Sequence, residues 1–114
     1  MLKTVTFLWK REGLSTTEFR DYYETVHARI GERVLSGWAL HYVRRFLNPE
    51  FGQADPEMPD VVMEIWYADR ATFEACMAAL GQGAVAAEIA ADEAKLFAPG
   101  KMRTFTVEEH VSAL

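Results

Sequence analysis

A chain of 114 residues with 12 Lys+Arg against 17 Asp+Glu, a net charge of −5 and one cysteine is narrowly bounded in what it does. That length makes one domain, taken as residues 1–114, burying roughly 65% of its unfolded surface without a disulfide to hold it. Net acidity opposes binding to nucleic acid, and no apolar run approaches the ~20 residues a membrane span needs.

The start, Met1-Leu2-Lys3, passes directly into alternating residues with no apolar signal region, so the expected compartment is the cytoplasm. Three Trp, four Tyr, seven Phe and five Met are a surplus for so short a chain. Core packing, a pocket for a flat apolar ligand and a subunit interface are the uses open to them.

Lys3 to Trp9 alternates, with Val5, Phe7 and Trp9 on one side and Thr4, Thr6 and Leu8 on the other, which predicts a strand. Ser15 and Glu18 form a capping-box signature for a helix. Phe19, Tyr22, Tyr23, Val26, His27 and Ile30 follow at spacings of three and four and make its apolar stripe. A second strand runs from Gly37 to about Leu47, with Trp38, Leu40, Tyr42, Arg44 and Phe46 on one face. Residues 48–59, with three prolines and Gly52, read as a long loop, a length usually kept to cover a site or an interface.

Asp60 to Tyr67 is the most continuously apolar segment, expected as a central strand covered on both faces. Asp69 is the N-cap expected for a helix carrying Phe73, Cys76, Met77 and Leu80, with glycines at 81 and 83 as its stop. An alanine-rich helix over Val85 to Phe97 and a last strand over Met102 to Val107 complete the chain. The order strand, helix, strand, strand, two helices, strand predicts an α+β fold: a ferredoxin-like βαββαβ plait with an extra helix before the last strand. Such a plait leaves one sheet face bare, and the bulky side chains on it predict a homodimer formed through that face.

Among polar residues, His27 is the most informative, because it lies on the apolar stripe one turn after Tyr23. A ring there serves either as a structural hydrogen-bonding group or as a general acid/base lining a pocket. Glu64 interrupts the apolar strand and needs a partner, for which Arg44, Arg45 and Arg103 are candidates. Asp92-Glu93 reads as part of a solvated helix face, and Cys76 as core filler. His27, His41 and His110 are scattered, and neither metal-ligand spacing nor a phosphate-binding glycine loop is present, so the expected chemistry is free of metal and cofactor.

Lys10-Arg11-Glu12-Gly13-Leu14-Ser15, then Glu18-Phe19-Arg20-Asp21-Tyr22-Tyr23 and Val26-His27-Ala28, resemble the opening of an EthD domain. The far end, Ala91 to Phe97 and then Arg103 to Glu109, is similar to that family as well. Two departures stand out: Tyr23 replaces a commoner Trp, and Ala98 stands where an Asp often follows the matched Phe97.

The resemblance implies a dimeric α+β barrel. It also implies kinship with cyclases, decarboxylases, dehydratases and lactone isomerases acting on aromatic or lactone substrates. By the same resemblance His27 lines the cleft between helices and sheet, with Asp92 a candidate for the same place. The resulting expectation is a protein that binds a small apolar or aromatic carbonyl compound. In it His27 moves a proton, Tyr23 orients it or donates a hydrogen bond to the substrate oxygen, and Phe7, Trp9 and Trp66 wall the ligand. The alternatives are a non-catalytic accessory protein of an oxidative degradation system and a cofactor-independent monooxygenase.

Overall fold

In the computed structural model, which describes residues 1–114, β1 spans Leu2–Leu8 and is followed by one long helical arm. The arm consists of α1 (Thr16–Tyr22), a π-helical turn (Tyr23–His27) and α2 (Ala28–Leu35). Then come β2 (Ala39–Phe46), β3 (Val61–Tyr67), α3 (Arg70–Leu80), α4 (Gly83–Leu96) and β4 (Arg103–Thr106). The strands form one antiparallel sheet in the order β2-β3-β1-β4, the ferredoxin-like arrangement. The extra helix is α4. No helix is long and apolar enough to cross a membrane.

Local chemistry sets the element ends. Ser15 Oγ accepts from the Glu18 N–H at 3.0 Å and the Glu18 carboxylate accepts from the Ser15 N–H at 3.0 Å, a complete capping box. Asp69 caps α3 by accepting from the Thr72 N–H at 2.7 Å. Gly37, at φ 86°, makes the turn from α2 into β2 in a conformation that side chains resist. Asp60 joins the start of β3 to the end of β1: its N–H donates to Leu8 O at 2.8 Å and its Oδ2 accepts from the Lys10 N–H at 2.7 Å.

Register divides each strand between two faces. Thr4, Thr6 and Leu8 of β1, with Val61, Met63, Ile65 and Tyr67 of β3, look toward the helices. The core there gathers Leu8, Phe19, Tyr23, Ala28, Val61, Leu96 and Phe97 on one side, and Leu35, Ile65, Tyr67 and Cys76 on the other. Burying each such large apolar side chain stabilises the fold by roughly 1.5–3 kcal/mol. Cys76 is fully buried, as expected of core filler, and burial pushes its thiol pKa up.

The opposite face holds Lys3, Val5 and Phe7, paired across the sheet with Trp66, Glu64 and Val62. Phe105 and Arg103 extend it on β4, and Val43 and Arg45 on β2. The central strand β3 is therefore covered by helices on one face only, and Val62, Glu64 and Trp66 are half-exposed on the other. Glu64 finds its partner in Arg45 at 2.5 Å, and the Trp66 indole N–H donates to it at 2.5 Å. The Trp66 bond first, then Arg45, holds its carboxyl below the ordinary value. Arg44 turns to the helix side and clasps Glu24 through two bonds of 3.0 and 2.6 Å.

The second strand departs from simple alternation. Ala39 pairs with Tyr67 and His41 with Trp66, so Leu40 is an extra residue in a bulge. It is expelled from the face it was expected to share with Tyr42 and is 60% exposed.

Candidate functional site

Between the helical arm, α3, α4 and the sheet lies a half-enclosed cavity of about 440 Å³. That volume falls within the ordinary range for small-molecule sites. Its walls are mostly apolar: Ile30 and Val34 of α2, Ile65 and Met63 of β3, Phe73 and Met77 of α3, and Ile89 of α4 are among them. The polar groups are few, chiefly His27, Glu93 and Tyr42, with Thr4, Thr6 and Thr104 on the strand side.

His27 stands where the π turn ends, and three neighbours fix its ring. Tyr23 meets it edge-on at 5.3 Å between centroids and Phe97 at 5.2 Å, close to perpendicular in both cases. Asp92, one of three buried polar or charged residues, places Oδ2 2.8 Å from Nδ1. Its other oxygen accepts the Tyr22 hydroxyl at 2.5 Å. Because a carboxylate only accepts, Nδ1 carries hydrogen, and the lone pair of the neutral ring falls on Nε2. That nitrogen makes no hydrogen bond within the chain and is not fully buried, and His27 is among the residues that line the cavity. A base in the wall of an apolar cavity, held by a carboxylate through its other nitrogen, suits proton transfer to or from a bound molecule.

The π turn explains which tyrosine joins this chain of bonds. In a regular α-helix, Tyr23 would lie one turn below His27, the place from which it is expected to orient the imidazole or donate to the substrate oxygen. Here the Ala28 N–H reaches back five residues to Tyr23 O, which places one extra residue in the turn. Tyr22 and His27, five apart, then converge on the same carboxylate, and Val26 is carried outward to 37% exposure. Tyr23 supplies a wall of ring to His27, but its hydroxyl is buried without a hydrogen-bond partner and does not line the cavity. Burial first, then the neighbouring Tyr42 phenol, pushes its pKa well up. The Asp92 bond pushes the Tyr22 phenol up to about 12, with burial adding to it.

The structure thus brings His27 and Asp92 together and sets the three expected aromatic walls apart. Phe7 and Trp66 point from the opposite sheet face, because odd residues of β1 and even residues of β3 face away from the helices. Trp9 lies just past β1, where its indole N–H donates to Glu57 O at 3.1 Å in the long loop. None of the three lines the cavity. Position parity explains this: alternation sorts residues into two sets without saying which set meets the helices.

Sequence reasoning passed over Tyr22, Tyr42 and Glu93. For Glu93 a signal existed, since it stands four residues after Ile89 and four before Phe97, both on the cavity wall. Burial pushes its carboxyl above the ordinary value, with His27 opposing and Asp92 adding to the shift. No three His, Cys, Asp or Glu side chains converge to form a metal-holding group.

A model of the EthD domain matches residues 11–100. The chain belongs to the EthD domain family. Among solved structures, its backbone is similar to an EthD family protein from Bacillus halodurans C-125, with a TM-score of 0.67 and 15% identity over 96% of this chain and 100% of that one. An EthD-like protein from Ralstonia eutropha JMP134 aligns with a TM-score of 0.61 and 20% identity, over 91% of this chain and 89% of that one. A dimeric ferredoxin-like protein from an uncultured marine organism aligns at 0.56 and 12% identity, over 98% and 91%. At these identities the likeness carries the fold alone. No curated protein matches the chain by sequence.

Proposed function

We propose that this EthD domain binds a small apolar or aromatic carbonyl compound between its helices and sheet and moves a proton on it without a cofactor. His27 is the acid/base, and Asp92 positions and balances the imidazole. The observation that carries this reading is the His27 Nδ1–Asp92 pair at 2.8 Å, set in the wall of a largely apolar cavity. In the base step Nε2 takes a proton from the carbon next to the carbonyl, and the electron pair moves into the enolate. Returning that proton to the same or another carbon gives exchange or isomerisation; attack of the enolate on a second carbonyl gives cyclisation.

The test is solvent deuterium wash-in, followed by proton NMR, over a panel of enolisable aryl ketones and cyclic diketones. Wild type is expected to exchange at least one member faster than buffer, with His27→Ala returning to the buffer rate. Saturable binding with no exchange across the panel favours the non-catalytic reading and sinks this one.

The same proposal takes the working unit to be a homodimer. The open sheet face carries Val5, Phe7, Val43, Val62, Trp66 and Phe105. That is a large apolar set for a solvated face. Structural neighbours, including one from Bacteroides fragilis at 9% identity and a TM-score of 0.51, are dimeric proteins of ferredoxin-like fold. Sedimentation at micromolar concentration is expected to give twice the chain mass; a stable monomer refutes it.

A further inference from the structure

The cavity walls include a carboxylate, Glu93, and neither a lysine nor an arginine. Glu93 is half-buried and has no hydrogen-bond or ion-pair partner, unlike Asp92 beside it, whose two oxygens are occupied by Tyr22 and His27. A protonated His27 does not reverse the sign of the site, because its charge lies against Asp92 and Glu93 remains. An entering carboxylate ligand would therefore lose its water in apolar surroundings, meet no lysine or arginine, and approach a like charge. Burial already pushes the Glu93 carboxyl above its ordinary value, so the walls tolerate even their own negative charge poorly.

What Glu93 does offer is an acceptor. An uncharged ligand with a phenol or enol hydroxyl fills the apolar volume and supplies the donor that the carboxylate lacks, forming a charge-assisted hydrogen bond. Sites that pair a buried polar group with a ligand hydroxyl discriminate strongly against analogues lacking it, because the protein group is then left bare.

We propose that the cavity selects uncharged, hydroxyl-bearing aromatic compounds, and that Glu93 makes the selection by accepting the ligand O–H and repelling carboxylates. This rests on the reading of the cavity as a ligand site and goes further by naming the ligand class and the residue that sets it. Asp92 belongs to the imidazole and Glu93 to the ligand.

The experiment titrates the full chain at pH 7 with three probes of one shape: 2-naphthol, 2-methoxynaphthalene and 2-naphthoate. Affinity is read by calorimetry, and position by NMR contacts to the side chains of Ile89 and Met77. Wild type is expected to bind naphthol at least threefold tighter than the ether and at least tenfold tighter than naphthoate. Glu93→Gln, which keeps an acceptor and removes the charge, is expected to shrink the naphthol–naphthoate gap to less than threefold. The wild-type ranking stands as a measurement whether or not the variant folds.

Naphthoate binding as tightly as naphthol, a gap that survives Glu93→Gln, or naphthol that fails to bind or binds away from Ile89 and Met77 overturns the proposal. Naphthol selection without deuterium exchange on any carbonyl compound defeats the catalytic reading and leaves this one intact. Exchange that persists while naphthoate outcompetes naphthol does the opposite.

Discussion

Replacing Gly31 by alanine sets two opposing effects against each other at the cavity wall. A methyl group built on Gly31 lies 2.7 Å from the Tyr42 hydroxyl oxygen and 2.9 Å from two carbons of its ring. Those separations are well inside contact distance, so the Tyr42 ring has to move, and overpacking of this kind costs about 1–3 kcal/mol. Against it stands the gain from removing glycine from a helix interior, about 0.5–1 kcal/mol. The clash is with a ring held on β2, facing the core beside Ile65, and not with a free side-chain end. The net expectation is a loss of about 1 kcal/mol. Urea unfolding at neutral pH reads it: with a slope of about 2 kcal/mol per molar, the midpoint falls by about 0.5 M with the slope unchanged. Tyr42→Phe removes the 2.7 Å contact, so Gly31→Ala is expected to cost less in that background than in wild type. A midpoint that rises in Gly31→Ala by the full helix-propensity gain refutes the steric argument and the close helix–strand approach it rests on.

Four further variants probe the polar chain and its surroundings. Asp92→Ala strips two side chains of a nearly buried acceptor and is expected to cost about 2–4 kcal/mol by chemical denaturation. Glu88→Ala, which breaks an exposed pair with Arg33, is expected to change stability by less than about 1 kcal/mol, and equal losses would count against Asp92 as a buried anchor. For Tyr22 the folded phenol pKa is raised from 10 to about 12, so the stabilisation it confers is complete below pH 10 and lost as the pH climbs through 12. Tyr22→Phe is accordingly expected to narrow its stability deficit relative to wild type across that window in pH-resolved melts. The raised Glu93 carboxyl behaves in the same sense at lower pH: its contribution is present below 4.5 and lost as pH rises through its folded value. Glu93→Gln should therefore gain on wild type as the pH rises above 4.5, and a difference that is flat with pH contradicts the burial of that charge.

Most of the fold is legible in the residues, because hydrophobic period, caps and glycine stops act locally and agree with one another. Ser15, Asp69 and Gly81 sit where helix ends require them, and the order of elements leaves few alternatives to the plait. What stays hidden is whatever depends on a one-residue offset. Leu40 shares a face with Tyr42 by alternation, until a bulge shifts the parity of β2. Tyr23 reads as the partner of His27 by helical spacing, until a π turn hands that place to Tyr22. The aromatic surplus of β1 and β3 could not be assigned to a face by spacing, since a strand and its mirror pattern look alike. Glu93 and Asp92 were obscured differently. Charged residues in an alanine-rich helix usually meet water, and only the packing of α4 against the π turn shows that Asp92 is buried and Glu93 turned to the cavity.

The π turn also constrains how such a chain can change. One residue inserted into an α-helix produces this backbone, because the wide turn absorbs it and leaves α2 in register with α1. If the same residues wound as a regular α-helix, everything downstream in α2 would rotate by about 100°. Ile30, Gly31 and Val34 would leave the cavity wall together, and the glycine that admits the Tyr42 ring would face elsewhere. Substitutions around His27 that keep the wide turn are graded in their effects, whereas one that tightens it turns the whole of α2. The winding of these five positions is thus under a stricter constraint than the identity of most residues that occupy them.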